Sequence, residues 1–214
     1  MSRILRAAAL ALALLHAVPA AADCVTAENL TGRGILFTMA DGKVWLARAA
    51  GKKVVRLDQS NGKPADDAYI EGPFGVYEVE HGHRVYPKRD FWGYIKRDFR
   101  KRPPEPVTGE SWTSKLEEDQ GSFYAQSRGS DFKGEVSYRF LPDKTVTVSG
   151  CDYRIIPVEA TFTGKDTIWG DPVLDRNDRW IYFPDLGVGV HTMSRDGYRQ
   201  EEWKAGITAI AAAQ

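Results

Sequence analysis

From Ile35 onward the chain alternates apolar and polar residues with a period of two. Ile35, Phe37 and Met39 share one face, and Val136, Tyr138 and Phe140 share another with Ser137 and Arg139 opposite. Thr145 to Ser149 alternates hydroxyl residues with valine. Ile156, Val158, Ala160 and Phe162 again fall on one side, and Trp180 to Phe183 and Val188 to Thr192 complete the series. Period two is the geometry of a half-buried strand. Turn-forming residues punctuate these runs at Asp41-Gly42, Gly51-Lys52, Asn61-Gly62, Gly82, Gly121, Gly134, Pro142-Asp143, Gly164-Lys165 and Pro184-Asp185. The pattern predicts about ten strands joined by hairpins. Parallel pairing would need long helical crossovers, and the spacing leaves no room for them. Trp45 sits between Val44 and Leu46, so some strands are apolar on both faces. Such a sheet is covered on both sides or curls upon itself. The expected fold is therefore all-β, a curved antiparallel meander forming a barrel, half-barrel or sandwich.

Two stretches break the alternation. Between Pro87 and Pro106, Asp90 can cap a helix, and Phe91, Tyr94, Ile95 and Phe99 fall at helical spacing. This predicts one short helix near 90–102, ended by Pro103 and Pro104. The C-terminus, Tyr198 to Gln214, is a second candidate helix, weakened by Gly206, with an apolar end at Ile207 to Ala213 suited to docking on the domain.

The N-terminus changes where such a fold is expected to work. Arg3 and Arg6 precede an apolar run from Ala7 to Val18, followed by Pro19 and Ala20-Ala21-Ala22. This is the layout of a secretory signal, with cleavage expected after Ala22. The run is too short to span a bilayer, which takes about 20 residues, so no transmembrane anchor is expected in the mature chain. Asp23 precedes Cys24, which argues against lipid attachment there. Residues 23–214 are expected to form a single antiparallel β domain in a secreted protein, periplasmic in a Gram-negative cell. That domain has 192 residues and a formal charge of −2, which speaks against a nucleic-acid partner. Cys24 and Cys151 are its two cysteines. In an oxidising compartment they are expected to bond to each other.

Candidate chemistry concentrates in one segment. Arg84 to Arg102 holds eight cations against Asp90 and Asp98, a local charge of +6. Tyr86, Phe91, Trp92, Tyr94 and Phe99 are interleaved. On a helix, Arg89, Phe91, Trp92, Tyr94, Lys96, Arg97, Phe99, Arg100 and Lys101 would suit an anionic lipid surface, with cations at headgroups and rings at the apolar boundary. The competing reading packs the aromatic face on the sheet and leaves the cations solvated. His81-Gly82-His83 could meet a metal if both imidazoles shared a strand face, but Gly82 favours a hairpin turn, and no third ligand is near in sequence. No metal and no cofactor are expected. Glu117-Glu118-Asp119 and the group Asp171, Asp175, Asn177 and Asp178 lack calcium-loop spacing and read as solvated turns. Gly-x-Ser-x-Gly, His-Glu-x-x-His and phosphate-loop patterns are missing.

The sequence thus points to a non-enzymatic envelope protein that binds an amphipathic or anionic ligand, such as a lipid or an envelope protein. Two alternatives are a secreted hydrolase with a carboxylate- or His-centred site, and a structural or interaction module. The sequence is silent on oligomeric state.

Overall fold

The alternation does produce an all-β antiparallel meander. The structure, a computed structural model, describes residues 24–60, 68–86, 91–122, 132–166, 172–195 and 202–214. The signal-peptide reading of residues 1–22 lies outside them. Among the described residues there is one helix, α1 (Ala27–Thr31). The strands are β1 (Ile35–Met39), β2 (Val44–Gly51), β3 (Val54–Ser60), β4 (Ala68–Pro73), β5 (Glu80–Tyr86), β6 (Phe91–Phe99), β7 (Ser111–Ser122), β8 (Phe132–Phe140), β9 (Lys144–Val148), β10 (Cys151–Asp166), β11 (Pro172–Phe183), β12 (Val188–Arg195), β13 (Glu202–Lys204) and β14 (Ile207–Ala212). They make one sheet in the order β13-β12-β11-β10-β8-β7-β6-β5-β4-β3-β2-β1-β14, with β9 paired to β10 off this path.

Both expected helices are strands. Within 90–102, Phe91–Phe99 is β6, laddered to β5 through Glu80↔Lys96 and to β7 through Phe99↔Leu116; Asp90 lies outside the described residues. Its aromatic and branched residues favour a pleated surface. A strand on either side satisfies its backbone, which outweighs the local helical spacing of its rings. The C-terminus is β14, paired to β1 with Phe37 opposite Ile210, and Ile210 is buried.

The sheet curls. β13 and β14 end the strand order on opposite sides, yet only Ala205 and Gly206 separate them. Two residues hold the flanking Cα atoms within about 11 Å, so the two edge strands approach each other at that point, but the sheet is not closed. They are joined by single contacts and not by a ladder. Ala40 N–H donates to Gly206 O at 2.8 Å, and Trp203 Nε1 donates to Asp41 at 3.0 Å.

Two features fill the curl. Between β4 and β5, residues Phe74 to Glu78 leave the sheet and are buried. Phe74 and Gly75 take the left-handed conformation (φ 56° and 65°), and Gly189 N–H donates to Phe74 O at 2.7 Å. A Cβ on Gly75 would lie 2.6 Å from Gly189 O, so only glycine allows this approach. This inward segment carries Tyr77 into a cluster with Tyr138, Trp112 and Phe99. The second feature is a long ribbon. β8 and β9 act as one interrupted strand along β10. The ribbon's end places Tyr153 and Ile155 in an apolar core with Phe37, Phe183, Val188 and Ile210. A Cys24–Cys151 disulfide, with Cα atoms 5.7 Å apart, pins the ribbon to the chain just before α1. A second core gathers Tyr77, Tyr138, Phe162, Trp180 and Tyr182 around β7, β8, β10 and β11.

Candidate functional site

Strand geometry sorts the cations of β6 by parity. Lys96 faces outward, 56 % exposed, with Nζ 3.9 Å from Glu80 and 5.4 Å from the Tyr94 ring centroid. Tyr94 lies across the backbone of Gly121. Just past the strand, Arg100 pairs with Glu117 at 2.6 Å and with Asp98 at 3.6 Å. Lys101 donates to the Thr113 carbonyl at 3.1 Å. Phe99 packs inward against Tyr77 and Trp112. Arg89 lies outside the described residues. Phe91 and Trp92 belong to β6 by backbone, and their side chains are outside the description. The expected surface therefore divides: Lys96, Arg100 and Lys101 are outside, and Phe99 and Arg97 are inside.

Arg97 is the centre of a buried ionic network. Its side chain is 5 % exposed; Nε donates to Glu118 at 2.7 Å, and Nη1 donates to Glu78. Glu118 comes from β7 and Glu78 from the inward segment, and both are buried. On β11, Arg176 stands 3.5 Å from Glu118 and 3.5 Å from Asp178. Ser194 donates to Asp178 at 2.6 Å. His191 lies between two carboxylates, with Nδ1 3.9 Å from Glu78 and Nε2 3.9 Å from Asp178. Its ring stacks on Trp180 with centroids 4.8 Å apart. Both guanidinium groups lie over Phe162, at 5.5 Å for Arg97 and 4.0 Å for Arg176.

The expectation of solvated acidic turns fails at two positions, while Asp171 and the side chain of Asp175 lie outside the described residues. Glu118 and Asp178 are not solvated turn residues but buried strand residues. Alternation turns Glu118 inward while Glu117 and Asp119 face out. His81-Gly82-His83 is likewise no turn: it lies inside β5, with the imidazole centroids 6.0 Å apart and the Tyr69 ring against Gly82. Among the described residues no three His, Cys, Asp or Glu side chains are placed to share a metal ion.

Burial alone would raise the Glu78 carboxyl. The Arg97 guanidinium, backed by His191 and His81, outweighs it and holds Glu78 down at about 2. Burial would lower Arg97, but Glu118 and Glu78 push it up. Burial lowers His81 and raises Tyr138. Glu78 and Arg97 thus stay charged across the neutral range. A general acid or base works best with a pKa near the operating pH, and neither group has one.

A second arrangement lies on the outer face. Arg139, Glu159 and Arg179 stand opposite one another on β8, β10 and β11. Glu159 accepts from Arg139 at 2.5 Å and lies 3.1 Å from Arg179. The next outward row is Ser137, Thr161, Asn177 and Arg195, with Thr161 donating to Asn177 at 2.9 Å. A depression of about 240 Å³ runs over both rows to Glu202. Sequence reading missed it because its arginines are 40 and 16 residues apart in the chain and meet only through strand pairing. A larger depression, about 520 Å³, lies over β6 and β7 and is lined by Glu80, Lys96, Asp98, Glu117, Asp119 and Lys133 among others.

No protein-family model, curated protein or solved structure matches the chain.

Proposed function

We propose that the protein is an exported, non-enzymatic component of the cell envelope that binds an anionic ligand, with the outer arginine face of β8 to β12 as its docking surface. One observation carries this reading. Arg139, Arg179 and Arg195 line one depression with Glu159, Asp178 and Glu202; Asp178 is buried, whereas the side chains of Arg139 and Arg179 are 68 % and 52 % exposed. A guanidinium presents five donors, so one shared carboxylate leaves most of them available.

The expected β6 surface supports the reading less well. Arg97 is inside, and Lys96, Arg100 and Lys101 already have oxygen partners. Outward strand positions also carry charged groups, as at Arg56, Glu71, Lys96, Glu117, Arg139 and Glu159. That pattern is opposite to the apolar outer band of a membrane-spanning barrel, so anionic headgroups or an acidic envelope partner would be met at the polar surface.

The test is flotation with anionic and with zwitterionic vesicles at low salt, beside retention on an acidic polysaccharide matrix. The expected result is binding to at least one anionic material, weakened by raised salt. Arg139→Gln with Arg179→Gln should reduce it, and Lys96→Gln with Lys101→Gln should not. Indifference of the wild-type protein to every anionic material would sink the proposal.

A further inference from the structure

We propose that the outer edge of β9 is an interaction surface, and that its partner is the same edge of a second copy of this chain. The surface is separate from the arginine face. Its backbone pairing decides what it can do. Ser149 and Gly150 both take positive φ, 53° and 78°, and join Val148 to Cys151 as a two-residue turn. Such a turn makes its flanking residues a hydrogen-bonded pair, and along an antiparallel ribbon these alternate with non-bonded pairs. Val146 therefore bonds to Tyr153. Thr145 and Thr147, opposite Arg154 and Asp152, turn their N–H and C=O groups away from β10. Among the described residues no strand pairs with that side of β9. β7 covers β8, and Thr108 accepts the Asp143 N–H at 2.8 Å; beyond Asp143, Thr145 and Thr147 are exposed.

An unpaired row of backbone groups is a template for a further strand, and folded proteins blunt such edges with charge, proline, bulges or a cover. The two strands that end the sheet order are blunted. β13 has three residues, of which Glu202 and Lys204 are charged. On β14 the Ile210 N–H donates to Ser149 Oγ at 3.0 Å. The run Thr145-Val146-Thr147-Val148 has no charge, proline or glycine. It also complements itself. In an antiparallel pair of two β9 strands centred on Val146, Thr145 lies opposite the partner's Thr147, and Thr147 opposite the partner's Thr145. Both become hydrogen-bonded pairs, so every outward group of the two threonines is satisfied on both chains. Val146, packed against the apolar core, meets the partner's Val146. Threonine pairs and branched apolar pairs are favourable across strands. Lys144 falls opposite the partner's Val148, which keeps the two lysines about 14 Å apart, beyond the screening length of about 8 Å. A five-residue edge is smaller than a standard interface, so the dimer should depend strongly on concentration.

Sedimentation velocity of the mature, oxidised protein over a concentration series tests the inference, with amide hydrogen exchange measured at the lowest and highest concentrations. A monomer–dimer equilibrium is expected, and the Thr145 and Thr147 amides should exchange more slowly at high concentration. Thr147→Pro removes an outward N–H and no bond to β10, so the hairpin should remain and the dimer should be lost. Thr145→Lys with Thr147→Lys sets like charges opposite each other across the two copies and should weaken association about tenfold at low salt. This second variant keeps every backbone donor, so the test stands even if the proline variant does not fold. A chain that stays monomeric at every concentration overturns the inference. So does a dimer that the two-lysine variant forms equally well, or one whose Thr145 and Thr147 amides exchange as fast as in the monomer, because another surface would then hold the copies together.

Discussion

The two cores of the molecule are built on different principles. The core around Phe37, Phe183, Val188 and Ile210 is apolar, and a disulfide fastens its covering ribbon. The core around Tyr138, Phe162 and Trp180 is aromatic and adjoins buried Glu78, Arg97, Glu118 and Asp178. The first is held by area removed from water plus a covalent constraint, neither of which depends on pH near neutrality. The second contains charges whose removal from water is expensive and which persist because each meets an opposite charge. The same curled sheet therefore has one half sensitive to reduction and another sensitive to proton concentration and to loss of a single partner.

Breaking the constraint on the apolar half should have the largest effect. The disulfide closes a sequence separation of 127 residues, and a loop of that size is worth about 4–5 kcal/mol in the chain-entropy view. Cys24→Ala with Cys151→Ala should lower unfolding free energy by about that amount, measured by denaturant titration against the oxidised wild type. A loss below about 1 kcal/mol would mean that the apolar packing of the ribbon suffices alone.

Next in size is the removal of Arg97. Arg97→Met leaves Glu78 and Glu118 buried without their main cation, and breaking a buried pair from one side costs about 3–5 kcal/mol. Adding Glu78→Gln and Glu118→Gln should recover part of the loss, because the uncompensated charges go with them. If the single and triple variants are equally unstable, packing and not charge sets the requirement at this site.

Proton concentration sharpens the contrast further. Glu78 has a folded-state pKa of about 2 against an ordinary 4.5. A depressed carboxyl contributes stability that is complete above its unfolded value and is lost as the pH falls toward its folded value. Wild-type stability should therefore decline between about pH 4.5 and pH 2, by about 3 kcal/mol from this group. Glu78→Gln should be less stable at pH 7 and should show a shallower acid slope. Identical slopes in the two proteins would place the acid sensitivity on other carboxylates.

The apolar half was largely legible in the sequence because alternation reports one buried face. Ile35, Phe37 and Met39 read as one face and are all buried. The cysteine pair was legible because a signal-like N-terminus and an even cysteine count lead to the expectation of a bridge, and Cys24 and Cys151 are bonded. The ionic half was not legible, for three physical reasons. Inward charges such as Glu118 and Asp178 mimic solvated runs, since the residues beside them on the strand face out. Gly82, Gly121, Gly134 and Gly164 resemble turn punctuation, but they lie inside strands. There the missing side chain makes room for the rings of Tyr69, Tyr94 and Phe132. The rings of β6 fit a helical spacing that long-range pairing overrode. Period two is present as well, in Ile95, Arg97 and Phe99, with an arginine in the middle of the inward row. The arginine face of β8 to β12 needed the register itself, which no local pattern contains.

The smallest expected effect isolates parity within one strand. Lys96 and Arg97 are adjacent and both cationic, and sequence alone treats them alike. Lys96 is 56 % exposed with its ammonium 3.9 Å from Glu80, while Arg97 is 5 % exposed between two carboxylates. A solvent-exposed pair is worth about 0–1 kcal/mol because water and salt screen it and two long side chains lose freedom to form it. Lys96→Gln should therefore change unfolding free energy by less than about 0.5 kcal/mol, and raised salt should reduce even that. Arg97→Gln, one residue along, should cost several kcal/mol, with little relief from salt because the ions it would strand are shielded from solvent. Measuring both variants at low and high ionic strength gives four values. A Lys96 loss comparable to that at Arg97 would contradict the inward and outward assignment of β6, and with it the division of the molecule into an apolar and an ionic half.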